Sequence, residues 1–436
     1  MVYLYIKASP DSRVWYSGAW TLSKTMNFDQ AIKYLKSFVS YEDIVEYKYN
    51  EDFFDLRRYE RFLKAYGLRY RDLKCVHVAG SKGKGTTSSL VAGYLGAAGK
   101  KVGLFTSPYI VDATESFVVG SGGKMRQISK KDFVGRVEKV REFLDEWVDQ
   151  DKGRYVTYFE ILFALVMEYF LEVGVDFAVI EVGLGGRLDA TNVVRPVVTC
   201  LTTVEKEHTE VLGETYREIL GEKLGIVKAY NEQKQVPLVI APQRARVLSE
   251  LVGRKFEVPV CYVEGDVGDN YAVVREILMV MVDRDEIDEF DEELFGKVYE
   301  KLEVLGRFQV RDGVVFDIAH TVESAKVLNA KLKSEFSGRE FVFLISMMKG
   351  KDVSGFLKKL FSGLEVGKVV FTSSHDIRGR MGAELAKIYG GGRGVEVVVE
   401  EDFGKAFVRA KKGLKKDQVL VVTGSHFLVG KILKTL

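Results

Sequence analysis

Short apolar runs rich in β-branched residues alternate along most of the chain with stretches whose apolar residues recur at helical spacing. One helical stretch, 160–171, directly precedes an apolar run that ends in a carboxylate. This alternation is typical of parallel strands joined by crossover helices. In the first part of the chain it predicts strands at 76–79, 102–106, 177–181, 197–203 and 237–241.

The alternation breaks near 288–306, where the acidic stretch 288–293 leads into a helix predicted to end at 305–306. Strands and helices then alternate again, so we expect a second, smaller α/β domain. The predicted domains are 26–303 and 304–436. The strands of the second are predicted at 314–317, 341–345, 369–372, 395–399 and 419–423.

Residues 1–25 are predicted to form an N-terminal extension. They contain charged residues among scattered aromatics and lack the continuous apolar core of a signal peptide. Helical periodicity begins just after Met26, at Phe28. Two interpretations are left open: translation starting at Met26, and a genuine extension that packs on the first domain.

The predicted strand 76–79 runs into a loop, 80–86, that reads G-S-K-G-K-G-T. Glycines let backbone N–H groups turn toward an anion, and the helix that follows presents its positive N-terminus. Lys84 is placed to reach the outer phosphates of a nucleotide, and Thr86 or Thr87 offers a hydroxyl to phosphate or metal. The spacing departs from the standard phosphate loop, because a glycine separates Lys84 from the hydroxyl residue. A glycine-rich turn that binds nothing is the alternative.

A second candidate is Glu181, the last residue of the predicted strand 177–181, which is followed by the glycine-rich segment 182–192. In open α/β sheets the ligand crevice lies at the carboxyl ends of the strands. Glu181 and the phosphate loop are therefore expected to face one cleft, where a carboxylate can hold a metal ion near the phosphates. The alternative is a carboxylate that only caps a turn or helix.

Together these motifs resemble the folylpolyglutamate synthase and dihydrofolate synthase family of the Mur ligase superfamily. The phosphate loop of that family reads G-T-N-G-K-G-S, and its motif E-V-G-x-G-G-x-x-D-x-T-N is matched at every fixed position from Glu181 to Asn192. The resemblance covers 28–436. It implies an α/β, Mur-ligase-like fold, with a P-loop ATPase domain built on a central parallel sheet and a smaller C-terminal Rossmann-like domain.

For the first domain, the resemblance implies the following site residues. ATP would be held by Gly80, Ser81, Lys82, Gly83, Lys84, Gly85 and Thr86. Magnesium would be held by Ser107, Glu181 and His208, the catalytic set would be Lys84, Glu181, His208 and Lys223, and the substrate loop would include Pro108 and Glu115. Lys223 matches the lysine that many Mur ligases carry as a carbamate, which would hold a second magnesium ion, and a monovalent cation is also implied. An ordinary solvated helix lysine is the alternative for Lys223.

In the C-terminal domain the family carries D-G-A-H-N-P at the nucleotide, whereas the segment 317–322 here reads D-I-A-H-T-V. A β-branched Ile318 in place of glycine excludes close backbone approach and a positive φ. The resemblance assigns ATP contacts to Arg307, Asp317 and His320, and substrate contacts to Lys349, Asp352 and Ser425.

The implied activity is an ATP-dependent carbon–nitrogen ligase that adds L-glutamate to a folate, to dihydropteroate, or to both. Phosphorylating the acceptor carboxylate gives an acyl phosphate with a good leaving group, so no side-chain nucleophile is needed. Two alternatives stay open. One is a Mur-type ligase for a non-folate acid, suggested by the segment 317–322 and by Ser116, where the family often has arginine. The other is an inactive nucleotide-binding paralogue.

Composition narrows the remaining classes. Hydrophobic residues make up 47% of the 436 residues, and the formal net charge of +2 indicates neither nucleic-acid nor membrane partners. Three widely spaced cysteines suggest neither a zinc site nor a disulfide framework, and no apolar stretch is long enough to span a bilayer. We expect a cytoplasmic protein with small-molecule substrates, and the family resemblance implies a monomer.

Overall fold

The computed structural model describes residues 25–40, 54–148, 155–228, 235–374, 379–392 and 394–436. Of the predicted extension 1–25, residues 1–24 lie outside this part of the chain. The chain divides into two compact units. The first comprises Met1–Tyr109 and Ala113–Leu302, and the second comprises Ile110–Asp112 and Glu303–Leu436. No helix among the described residues is long and apolar enough to cross a membrane.

The first unit is built on a mixed sheet. Its described strands are β1 (Cys75–Ala79), β2 (Val102–Phe105), β3 (Val118–Ser121), β4 (Lys124–Gln127), β5 (Phe177–Glu181), β6 (Pro196–Leu201), β7 (Leu238–Ile240) and β8 (Val260–Tyr262). Their spatial order is β4-β3-β2-β5-β1-β6-β7-β8. All neighbours from β2 to β8 pair in parallel, whereas β3 and β4 form an antiparallel edge. Strand β1 therefore lies in the interior of the sheet, next to β5.

Helices cover both faces of this sheet. The described α-helices are α1 (Phe28–Leu35), α2 (Leu56–Ala65), α3 (Lys84–Ala97), α4 (Lys130–Trp147), α5 (Tyr158–Val173), α6 (Thr209–Leu212), α7 (Tyr216–Lys223), α8 (Ala245–Val252), α9 (Asn270–Asp283) and α10 (Glu292–Lys301). Short 3-10 helices lie at Tyr70–Asp72, Ala113–Ser116, Ala190–Val193 and Leu224–Ile226. Local sequence sets several ends: Thr157 and Glu160 form a capping box before α5, and Gly174 ends it in the left-handed conformation.

Alternation of side chains along β1 separates two apolar cores. Cys75 points into the core formed with α1, α2, α4 and α5, whereas Val76 and Val78 point into the core formed with α3 and α9. All five residues of β1 and of β5 are buried. Strands covered on both faces read as continuous apolar runs, which is why the sequence pattern located them. Their carboxyl ends meet at one edge of the sheet.

The second unit has its own sheet and five described helices. The strands are β9 (Gln309–Arg311), β10 (Val314–Phe316), β11 (Glu340–Ile345), β12 (Glu365–Phe371), β13 (Glu396–Val399) and β14 (Gln418–Thr423), and the helices are α11 (Val322–Glu335), α12 (Val353–Leu360), α13 (Gly382–Tyr389), α14 (Phe403–Lys411) and α15 (His426–Leu433). The order is β13-β12-β11-β14-β10-β9, parallel except for β9. The predicted α/β class with a second, smaller sheet domain is confirmed.

Some elements differ from the sequence prediction. Strands β3, β4, β8 and β9 were not predicted, because they are three or four residues long and largely exposed, and so lack a buried apolar run. Helix α10 ends at Lys301, before the predicted 305–306. The segment Ile110–Asp112 belongs to the second unit, where Ile110 and Val111 pack against the cluster that contains Ile318. No periodic pattern marks such a short segment.

Candidate functional site

The phosphate loop leaves the end of β1 and is held against the end of β6. Backbone N–H groups of Ser81 and Lys82 both donate to the Thr203 carbonyl, at 2.9 and 3.0 Å. Gly80 has a φ of 146°, and a Cβ there would lie 1.9 Å from Thr202 Oγ1, so only glycine fits. Gly83, with a φ of 91°, caps α3, which presents its free N–H groups to the loop.

Two lysines from distant helices converge on one carbonyl of this loop. Lys84 is the first residue of α3, and its Nζ donates to the Gly80 carbonyl at 3.1 Å. Lys223 is the last residue of α7, and its Nζ donates to the same oxygen at 2.8 Å. Two cations thus lie at the loop, as a site for a polyphosphate requires.

Glu181 ends β5 and lies beside the loop. Its Oε2 accepts a hydrogen bond from the Ser107 backbone at 3.2 Å, and a Cβ on Gly85 would lie 3.4 Å from the same oxygen. Glu181 is buried, whereas Thr86 and Ser107 are partly exposed. Carboxylate and hydroxyl oxygens are the ligands that magnesium prefers, so these residues fit that ion. Within the described ranges no three His, Cys, Asp or Glu side chains form a metal-holding group, so hydroxyl, phosphate and water oxygens would complete its shell.

His208 precedes α6 in a left-handed conformation, with a φ of 48°. Its side chain is 45% exposed, and Nδ1 lies 3.9 Å from Glu210 Oε1. Its charge also acts on its neighbour Glu207, which interacts with Lys84 and Lys223 as well. Residues 84, 181 and 208 therefore border one loop, as the sequence interpretation requires.

Glu207 was missed by sequence analysis. Its carboxylate lies 3.4 Å from Lys82 Nζ and 3.6 Å from Lys223 Nζ. Burial alone would raise the pKa of this carboxyl, but Lys223, Lys84, Lys82 and His208 together lower it to about 2. The available signal was its position next to His208, just after a buried strand.

Lys223 is 2% exposed, which excludes the solvated helix lysine. Burial, reinforced by Lys84 and Lys82, lowers the pKa of its ammonium to about 8, although Glu207 acts in the opposite direction. A lower pKa increases the fraction of neutral amine at neutral pH. The neutral amine is the form that reacts with carbon dioxide to give a carbamate.

The glycine-rich segment after Glu181 grips the helix that carries Lys223. A Cβ on Gly186 would lie 2.8 Å from the Glu222 and Lys223 carbonyls, and one on Gly225 would lie 2.3 Å from Arg187 Cβ. Arg187 forms a bidentate ion pair with Glu222, at 3.0 Å for both contacts. The two segments therefore touch backbone to backbone, which fixes Lys223 beneath Gly80.

The same segment is tied to β1 by a buried polar chain. His77 Nε2 lies 2.9 Å from Thr191 Oγ1, and the Thr191 hydroxyl donates to the Asp189 carboxylate. Since that hydroxyl proton points at Asp189, His77 is the donor from Nε2. Burial, with a smaller effect of Lys228, lowers the pKa of His77 to about 3, so the ring is neutral. This supports the sequence interpretation of His77 as a core residue.

Asn270, at the start of α9, is a second residue that sequence analysis missed. A Cβ on Gly83 would lie 2.6 Å from Asn270 Oδ1, and Thr87 Oγ1 donates to this oxygen at 3.3 Å. Thr87 is fully buried and Thr86 is not, which leaves Thr86 as the accessible hydroxyl. The only sequence signal was the polar helix start at 269–270.

Pro108 and Glu115, assigned to the substrate loop, lie on either side of the segment Ile110–Asp112. Pro108 is exposed and directly follows Ser107, while Glu115 lies in the 3-10 helix Ala113–Ser116. The neighbouring Ser116 is buried, and its hydroxyl donates to the Thr106 carbonyl at 3.0 Å. Ser116 therefore braces this loop, a role that arginine would not fill in the same way.

In the second unit, Asp317 is occupied locally. Its carboxylate accepts hydrogen bonds from the Phe308 and Ala319 backbones at 2.9 and 2.8 Å. Burial raises the pKa of Asp317, and Arg307 acts against that rise. His320 Nδ1 lies 3.0 Å from the Ile318 carbonyl. Ile318 is buried, and its Cγ2 would lie 2.9 Å from a Cβ on Gly306, so a glycine makes room for the bulky side chain.

The remaining predicted substrate residues of this unit lie at helix starts or on the surface. Asp352 and Ser425 are the N-caps of α12 and α15, and accept hydrogen bonds from Gly355 and Phe427. Lys349 is exposed in the preceding turn. Capping accounts for Asp352 and Ser425 without a ligand.

Comparison with known proteins follows the same motifs. The family model described as "Dihydrofolate synthetase, C-terminal domain" matches residues 306–435. The chain is 27% identical over 424 residues to the dihydrofolate synthase/folylpolyglutamate synthase of Bacillus subtilis, covering 87% of this chain and 94% of that protein.

Solved structures agree with the fold. Folylpolyglutamate synthase from Thermotoga maritima has a TM-score of 0.74 at 26% identity, covering 94% of this chain and 96% of that one. The Mycobacterium tuberculosis folylpolyglutamate synthase complexed with ADP has a TM-score of 0.77 at 23% identity, covering 94% and 98%. With its matched motifs, family model and near full-length relatives, the chain belongs to the folylpolyglutamate synthase and dihydrofolate synthase family.

Proposed function

We propose that the protein is an ATP-dependent ligase that joins L-glutamate to the carboxylate of a folate, of dihydropteroate, or of both. The observation that carries the proposal is the glycine loop itself, with Lys84 and Lys223 on its Gly80 carbonyl and Glu181 beside Gly85. The Mycobacterium tuberculosis relative, whose fold this chain shares, is complexed with ADP. Gly80–Thr86 would hold the phosphates of the nucleotide.

In the proposed reaction, an oxygen of the acceptor carboxylate attacks the γ-phosphorus of ATP, and ADP leaves. The glutamate amine then attacks the carbonyl carbon of the acyl phosphate, loses a proton and expels inorganic phosphate. Lys84 and the N-terminus of α3 stabilise the negative charge of the transferred group. Glu181, Ser107 and His208 are the residues that would hold magnesium, which supplies charge neutralisation at the phosphates.

We further propose that Lys223 acts as its carbamate. A buried amine with a lowered pKa, close to the loop, is suited to react with carbon dioxide. The carbamate would place an anion beneath Gly80, where it could hold a second divalent ion.

The non-folate alternative loses its main motive. It rested on the altered segment 317–322, but Ile318 fits against Gly306 within the second unit and Ser116 braces the loop at Thr106. Both departures therefore have packing explanations that need no different substrate.

The test is an assay of ADP release with ATP and magnesium. The acceptors are dihydropteroate, tetrahydrofolate and an unrelated carboxylic acid, each with and without glutamate. We expect ADP release that requires glutamate together with one or both of the pterin acceptors. Release with a different acid and amine pair, and none with the pterins, would contradict the proposal.

A further inference from the structure

Glu207 places a carboxylate among the cations that the phosphate loop offers. It lies 3.4 Å from Lys82 Nζ and 3.6 Å from Lys223 Nζ, and its side chain is only 18% exposed. Lys223 and Lys84 both donate to Gly80, so the same ammonium groups border the loop and Glu207. A phosphate bound by these lysines would have an anionic neighbour within a few ångströms.

Two anions this close repel each other, and the repulsion is weakly screened where water is excluded. Metal-free ADP or ATP brings several negative charges to the loop without compensation. The magnesium complex of the same nucleotide carries less net charge and places a cation near the carboxylate. Glu207 therefore penalises the metal-free nucleotide much more than the magnesium complex.

We propose that Glu207 makes the phosphate loop select the metal-bound nucleotide over the metal-free nucleotide. The inference rests on the proposed function, in which this loop binds the phosphates of ATP. Glu207 acts as a specificity residue through charge, since the reaction requires no bond to it.

A merely structural role makes a different prediction. If Glu207 only held Lys82 and Lys223 in place, its removal would weaken binding of both nucleotide forms together. If it selects between them, removing its charge strengthens metal-free binding. Opposite signs separate the two roles.

The experiment measures ADP dissociation constants by calorimetry, once with excess magnesium and once with EDTA. The proteins are the full-length wild type, Glu207→Gln, Glu207→Asp and the control Glu205→Gln. Glu205 is a matched control, because its side chain is 16% exposed and pairs with Arg244, away from the lysines. Thermal unfolding of each variant checks that the fold is retained.

We expect Glu207→Gln to bind metal-free ADP about tenfold more tightly than wild type, without a matching gain for magnesium ADP. Glu207→Asp keeps the charge and should keep the preference, as should Glu205→Gln. An unchanged ratio of the two dissociation constants in Glu207→Gln, or equal weakening of both forms, would overturn the inference. Wild-type protein that binds ADP in neither condition would instead contradict the proposed function.

Discussion

Burial determines the charge state of the main polar residues in the first unit. Lys223, Glu207 and His77 are all enclosed, yet their surroundings differ. Glu207 faces several lysines and stays ionised, whereas His77 meets Thr191 on one side and has no hydrogen-bond partner for Nδ1 among the described residues. A proton added at Nδ1 would be a charge in apolar surroundings, and for that reason the ring stays neutral.

His77 therefore makes the stability of the protein depend on pH. Its pKa is about 3 in the folded state and about 6.5 in an unfolded chain, so between these values only the unfolded chain takes up the proton. Its contribution to stability is complete above about pH 6.5 and falls by up to about 1.4 kcal/mol per pH unit below that. Denaturant unfolding at pH 7.5 and 5.5 should show a larger loss for wild type than for His77→Gln. Equal losses in the two proteins would argue against a buried neutral His77.

Contacts between elements set the position of Lys223 more than the residues of its own helix do. The segment 182–192 and the turn after α7 approach closely enough that neither Gly186 nor Gly225 has room for a Cβ. Motif matching identified the residues of this segment, but the sequence could not show that they grip α7. The same limit explains Glu207 and Asn270, whose partners come from loops distant in sequence.

Glycines on the two sides of this contact make an internal comparison. In Gly225→Ala the new methyl meets Arg187 Cβ at 2.3 Å and its Cα at 2.5 Å, so the segments must separate. We expect a loss of about 2 kcal/mol in unfolding free energy, with reduced ligase activity. Gly221, on α7 itself, has nothing within 4 Å, and Gly221→Ala should stabilise by about 0.5–1 kcal/mol. Urea unfolding and the ADP-release assay measure both. Similar behaviour of the two variants would contradict the clamp around Lys223.

At the scale of the whole molecule, the hydrophobic pattern predicted the strands buried on both faces and the two α/β sheets. It missed the edge strands β3, β4, β8 and β9, whose exposed residues carry no periodic signal. It also gave no indication that Ile110–Asp112 belongs to the second unit, because that assignment depends on packing against residues such as Val429. Motifs and their order along the chain predicted the phosphate loop, Glu181 and Lys223, while geometry added Glu207.

The central claim is that the chain uses ATP to activate a carboxylate as an acyl phosphate. Acceptor whose reacting carboxylate is labelled with ¹⁸O tests this directly, because the attacking oxygen stays on the phosphate when the amine displaces it. Mass spectrometry of the inorganic phosphate formed with ATP, acceptor and glutamate should show one ¹⁸O transferred from the acceptor for each amide made. Phosphate free of the label, with the amide still formed, would contradict the account.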